Sequence, residues 1–193
     1  GDGTISIADT IDLLSYLFVN GPEPERVYGL LSATGQVVCS DAQGIAIPCD
    51  SLTYPGQDAA YQLGIDSSSR WLDNGDGTLS DLATGLMWQK DATTVETWQG
   101  SLLICENLTL AGHDDWRMPN VVEAATLLVP GGVTPNTTAP LDGYWSLWTS
   151  TTASTSGRTA YSIDAWNGHI GVTTKVLDNG APRAVRGPVP LAP

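Results

Sequence analysis

The sequence predicts an α+β fold, and three observations predict it. Two strand–turn–strand patterns occupy residues 30–50 and 71–89, two helical patterns lie between 95 and 129, and after residue 130 short strand-like runs alternate with Gly, Pro, Ser and Thr. With 193 residues and 41% apolar content, the chain is long enough for one core. Lys and Arg total 8 against 21 Asp and Glu, a net charge of −13. That balance excludes the basic footprint of a nucleic-acid binder or of a polybasic membrane-surface protein. No apolar run approaches the roughly 18–20 residues of a membrane-spanning helix, so no membrane span is expected. No secretory leader is visible, and Gly1 rather than Met stands first, as in a processed or partly observed chain.

Residues 1–25 form a segment of their own. Ser6 with Asp9 three residues on reads as a helix start, and Ile11, Leu14, Leu17 and Phe18 then recur at helical spacing before Gly21-Pro22 stops the pattern. The competing conformation is extended, with Ile5 and Ile7 alternating along a strand from Thr4 to Ile11. Neither form can bury its apolar side chains alone, so Ile5, Ile7, Ile11, Leu14, Leu17 and Phe18 need a receiving surface, on the same body or on another copy.

The stretch LLSATGQVVCSDAQGIAIPC alternates around the turn Asp41-Ala42-Gln43-Gly44. Cys39 and Cys49 flank that turn and are expected to form a disulfide, with Cys105 buried or free; three reduced thiols are the alternative. Residues 73–77 (Asp-Asn-Gly-Asp-Gly) read as a hairpin turn, although Asp73, Asn74 and Asp76 also carry cation-binding groups. A first helix over roughly 95–109 places Trp98, Leu102, Cys105 and Leu108 on one face. A second, over roughly 121–129, has Asn120 as N-cap, Glu123 as its capping-box partner, and Val122, Ala125 and Leu128/Val129 toward the core. Strand candidates follow around 144–149, 158–166, 169–177 and 182–187, and residues 188–193 form a Pro-rich tail.

No arrangement of catalytic groups emerges. His113 and His169 sit in no zinc-protease motif, and no nucleophile elbow or phosphate loop occurs. Asp114-Asp115 beside His113 suggest an acid/base cluster but read better as turn polarity, Cys105 reads as a core filler on a helix, and Arg117 as the partner of a carboxylate. The chain is therefore expected not to be an enzyme. Most of its tryptophans suit a core, but Trp148 and Trp166 lie in the polar C-terminal half and are expected as exposed rings able to stack on a glycan. Asn136-Thr137-Thr138 and Asn107-Leu108-Thr109 fit the N-glycosylation sequon, the first in a Pro/Gly loop and the second on a helix. Nine of the fourteen residues from Ser146 to Thr159 are Ser or Thr, a composition that suits O-linked sugars.

Two resemblances bear on these readings. GDGTISIADTIDLLSYLF resembles half of a type I dockerin, a relative of the EF-hand. The resemblance implies Ca2+ as ligand, with Asp2 and Gly3 in the fifth and sixth loop positions, Thr4 offering its carbonyl, Ser6 its hydroxyl or a water, and Asp9 the last carboxylate. The two acidic positions that open such a loop do not appear. The alternative is a short amphipathic helix with an acidic cap. Further on, ATGQVVCSDAQGIAIPC, PGQD, DNGDGTLSDLATGLMWQK, TWQGSLLICENL, AGHDDWRMPN, YWSLWTST and RAVRG follow one another between residues 33 and 187. This series resembles the family of the C-terminal domain of the Legionella collagen-like adhesin. Here Ala59-Ala60 follow Gln57-Asp58 where the family has further Gly-Asp, Met118 stands for a Leu, and Leu147 for a Ser. The resemblance implies short twisted antiparallel strands with about two helices, C-type-lectin-like in outline, and an extracellular or bacterial cell-surface location. It also implies binding of sulfated glycans, which a chain of −13 charge is poorly equipped to perform.

The expected organisation is a partial dockerin-like segment and linker over 1–25, an adhesin C-terminal-like domain over 26–187, and the tail. The expected role is an extracellular structural or adhesive subunit that assembles with copies of itself, as a filament or surface polymer, through the N-terminal segment. The alternative is a lectin-like glycan-binding module.

Overall fold

The computed structural model describes residues 33–187, apart from 62, 67, 68, 93, 130–134, 136, 155, 178 and 179. Local chemistry sets the first hairpin. Asp41 Oδ1 accepts from the backbone N–H groups of Gln43 and Ile45 (2.9 and 2.8 Å), and Gly44 takes the left-handed conformation (φ 79°) that closes the turn. The turn joins β1 (Cys39–Ser40) to β2 (Ala46–Ile47), and the Cys39–Cys49 disulfide closes the hairpin with its Cα atoms 5.2 Å apart. The Gln57 side chain then acts as a further strand partner for Ser40, accepting from its N–H and donating to its carbonyl at 2.9 Å each. The one-turn helix α1 (Asp58–Tyr61) follows.

The second hairpin joins β3 (Trp71–Asp73) to β4 (Thr78–Asp81), and β5 (Met87–Gln89) continues it. With β11 (Val185–Arg186) these make a four-stranded antiparallel sheet in the order β11-β5-β4-β3. Trp88 lies between Leu79 and Val185 in register, and all three are buried. β6 (Asp91–Ala92) and β7 (Asp142–Gly143) run parallel, which the expectation of antiparallel strands did not include. Arg183 holds that junction. Buried, it donates to the carbonyls of Gln89 and Asp142 (2.9 and 2.7 Å) and also to that of Lys90. A three-stranded antiparallel sheet, order β10-β9-β8, is formed by β8 (Ser146–Thr152), β9 (Thr159–Asp164) and β10 (His169–Thr174).

Two longer helices pack on β8. α2 (Trp98–Glu106) starts where Thr97 Oγ1 accepts from Gly100 N–H at 3.1 Å, and it ends at Asn107. It is shorter than the 95–109 pattern because Glu96 is held in a β-bridge to Gly180. Cys105 is buried on its inner face, with Trp98, Leu102 and Leu108 packed against the same cluster as expected. α3 (Val121–Ala125) opens with the expected capping box: Asn120 Oδ1 accepts from Val122 and Glu123 N–H, and Glu123 Oε2 accepts from Asn120 N–H, each at 2.9 Å. Its buried face is not the expected one. Ala124 and, just beyond the helix, Leu127 face the core, whereas Val122 is 72% exposed and Ala125, Leu128 and Val129 are only half-buried. Tertiary bonds fix the roll: Val121 N–H donates to Thr151 Oγ1 at 3.0 Å, and Arg117 grips Glu123 at 2.6 and 2.7 Å.

Candidate functional site

The sheet β8–β9–β10 ends on an open side. Among the described residues β10 pairs only with β9, in the register Ile170↔Ile163 and Val172↔Tyr161. Lys175 N–H donates to Arg158 C=O at 3.0 Å in that same register. An antiparallel ladder bonds alternate pairs, so His169, Gly171 and Thr173 bond inward to β9. The backbone groups of Ile170 and Val172 then point away from the sheet, as does Thr174 N–H, while Thr174 C=O accepts from Leu177 N–H at 3.1 Å. The side chains of Ile170 and Val172 are 50% and 51% exposed. The strand HIGVTT carries no Lys, Asp, Glu or Pro, the residues that ordinarily keep a sheet edge from pairing.

A second surface feature lies at the β9–β10 turn. Trp166 is 45% exposed, and its ring centroid is 5.9 Å from that of Trp145 at a tilt of 60°. Asp164 shapes this turn by accepting from the N–H groups of Trp166 and Asn167 (3.0 and 3.1 Å) and from the Asn167 side chain (2.7 Å). Burial works to raise the Asp164 pKa, but these bonds outweigh it and hold the carboxyl below its usual range. Trp148, expected as the other exposed ring, is fully buried. Its indole N–H donates to Glu96 C=O at 2.8 Å, and the ring lies so close to Gly180 that a Cβ there would sit 2.7 Å from Trp148 Cδ1. A glycan-stacking role for Trp148 is thereby removed.

The other candidate residues fall into three groups. Cys39 and Cys49 are bridged as expected. Asn107 is exposed at the end of α2 and donates its amide to Leu103 C=O at 2.7 Å. Asn136, the calcium candidates Asp2, Thr4, Ser6 and Asp9, and the assembly candidates Ile5, Ile7, Ile11, Leu14, Leu17 and Phe18 lie outside the described residues.

The polar turns are occupied by their own structure. Asp73 accepts from Gly75 N–H at 3.0 Å and from Lys90 Nζ at 2.7 Å, and Asp76 accepts from Thr78 N–H and Oγ1 at 3.1 and 2.6 Å. Among the described residues no cluster of three or more His, Cys, Asp or Glu side chains is disposed to hold a metal ion. Asp115 pairs with Arg186 (2.6 Å), whose hydrogen bond holds its pKa below the carboxylate range. Burial, then the nearby Glu106 charge, pushes the Cys105 thiol up to about 12, so it carries almost no thiolate near neutral pH. Arg117 has the carboxylate partner expected for it, Glu123. The exposed β10 edge is the feature that sequence reasoning did not single out. The uncharged alternation of HIGVTT was its only local signal, and which strand ends a sheet is settled by pairing.

Among the described residues no helix is long and apolar enough to cross a membrane. No curated protein matches the chain. The family model of the Lcl C-terminal domain, from the Legionella collagen-like protein, matches residues 77–186. The match runs from Gly77, just before β4, to the end of β11, and the Cys39–Cys49 hairpin lies upstream of it. These 110 residues of 193, spanning β4 to β11 and both longer helices, show that the chain belongs to the Lcl C-terminal domain family, whose character is that of adhesin-type surface proteins.

Proposed function

We propose that this chain is an extracellular structural or adhesive subunit that assembles with copies of itself through its N-terminal segment. The observation that carries the reading is the exposed, uncharged β10 edge with its outward backbone groups and half-exposed Ile170 and Val172. Such an edge is a template for another chain. The Cys39–Cys49 bridge supports an oxidising, exterior location. The chain is divided, on this reading, into an assembly segment over 1–25, a domain over 26–187 and a tail over 188–193. It performs no catalytic step. Negative-stain microscopy and light scattering of the purified full chain test it: fibres or large oligomers are expected, and monodisperse monomers at high concentration would overturn it. Assembly in calcium and in chelator tests whether Asp2, Thr4, Ser6 and Asp9 take part as a cation loop. An intact mass above that of the bare polypeptide is expected if Asn136 or Asn107 carries a sugar.

A second reading, a lectin-like module with a C-type-lectin-like outline, is favoured by one observation, the half-exposed Trp166 beside Trp145. Glycan-array binding that Trp166→Ala abolishes would support it, and an array without hits would remove it.

A further inference from the structure

We propose, resting on the assembly reading above, that the β10 edge of one copy receives residues Thr4–Ile11 of another as an added β-strand, with Ile5 and Ile7 against Ile170 and Val172. The phase of the ladder is the first argument. Lys175 N–H bonds Arg158 C=O, so Gly171 and Thr173 use their backbone groups on β9, while Ile170 and Val172 each present a donor and an acceptor outward and Thr174 adds its N–H, its carbonyl being taken by Leu177 N–H at 3.1 Å. An extended chain can meet that row; a helix, whose backbone groups are bonded internally, cannot. On this proposal the N-terminal segment is donated in its extended form.

The side chains agree. Ile170 and Val172 lie on one face of β10 at a two-residue spacing and are half exposed in the single chain. Ile5 and Ile7 have the same spacing and the β-branched character that pairs well across strands. On the other face, Ser6 and Ala8 are small where Gly171 and Thr173 are small. Charge is complementary too. Residues 1–11 carry Asp2 and Asp9 and no cation, while Arg158 and Lys175 stand together at one end of the β9–β10 pair. Reach is no obstacle. The twenty-one residues from Asp12 to Ser32 can extend about 70 Å, against a diameter of about 40 Å for a domain of this size. Each copy donating one strand and accepting another gives a head-to-tail contact, the kind that propagates.

The test uses the full chain. Val172→Pro removes an outward donor that β9 does not use, and Ile5→Asp/Ile7→Asp puts charge where the donated strand is to be buried. Each variant alone should be monomeric by light scattering. Mixed one to one, they should form a dimer and nothing longer, because one can only donate and the other only accept. Val172→Thr, which keeps the N–H, should assemble like the parent. Val172→Lys, which leaves the backbone intact but charges the edge, should behave as Val172→Pro does and serves if the proline variant fails to fold. Fibres from Val172→Pro or Val172→Lys, fibres from the Ile5→Asp/Ile7→Asp chain, or a mixture that stays monomeric would overturn the strand addition while leaving assembly standing. A parent chain that never assembles would overturn both.

Discussion

Arg70 and Asp81 form a bidentate ion pair with neither side chain exposed: Nε lies 2.7 Å from Oδ1 and Nη2 lies 2.6 Å from Oδ2. The pair is satisfied on every side. Arg70 Nη1 donates to Thr126 C=O at 2.7 Å and the guanidinium stands 4.4 Å from the Trp71 ring, while Asp81 accepts from Ala83 N–H and Thr84 Oγ1. It therefore ties the β3–β4 hairpin to the segment just after α3. Arg70→Met would leave Asp81 buried and unpaired, a loss of about 3–5 kcal/mol. Denaturant unfolding should show it as a lower midpoint at unchanged slope, and the double change Arg70→Met/Asp81→Leu should recover part of the loss.

The two tryptophans of the last sheet should separate sharply. Trp148 is fully enclosed and its indole N–H is bonded, so Trp148→Ala should cost about 3–5 kcal/mol. Trp166 is half exposed and stands against Trp145, so Trp166→Ala should cost about 1 kcal/mol or less. Equal losses in thermal or denaturant unfolding would contradict the burial difference. Gly180→Ala should resemble the Trp148 change in direction, since its Cβ would be driven into that ring.

The Cys39–Cys49 bridge closes a ten-residue separation. A loop of that length restricts the unfolded chain by about 2–3 kcal/mol. Peptide mapping without reductant should recover the linked pair, and Cys39→Ala/Cys49→Ala should lower stability by that amount. Alkylation of both thiols in the unreduced protein would refute the bridge.

Glu123 carries a pH dependence. Burial pushes its pKa up, but the hydrogen bond from Arg117 and the N–H of Asn120 outweigh this and hold it below the ordinary 4.5. A carboxyl depressed in the folded state stabilises fully above its unfolded pKa and loses that contribution as pH falls through the folded one. The parent should therefore be more stable than Glu123→Gln near pH 7, and the gap should close on acidification below about 4.5. A gap that is constant from pH 7 to 3 would show that the pair does not act through ionisation.

Features closed by neighbours in sequence were legible in it. The Asn120–Glu123 capping box, the turn at Asp41–Gly44, the hairpin at 73–77 and the Cys39–Cys49 pairing each depend on groups within about ten residues. There, spacing alone brings donor to acceptor. The family motifs were legible for a related reason, since their order along the chain needs no coordinates. Tertiary structure decided the rest. Trp148 sits in a polar run that suggests exposure, but Glu96, fifty-two residues earlier, accepts its N–H, and Gly180 leaves the space its ring fills. Val122 has the spacing of a core residue, yet Thr151 and Arg117 roll α3 so that Ala124 and Leu127 are buried instead. The open edge at Ile170 and Val172 follows the same rule. A strand pattern states which residues alternate, whereas only the pairing of all strands determines which one is left with its backbone groups facing out.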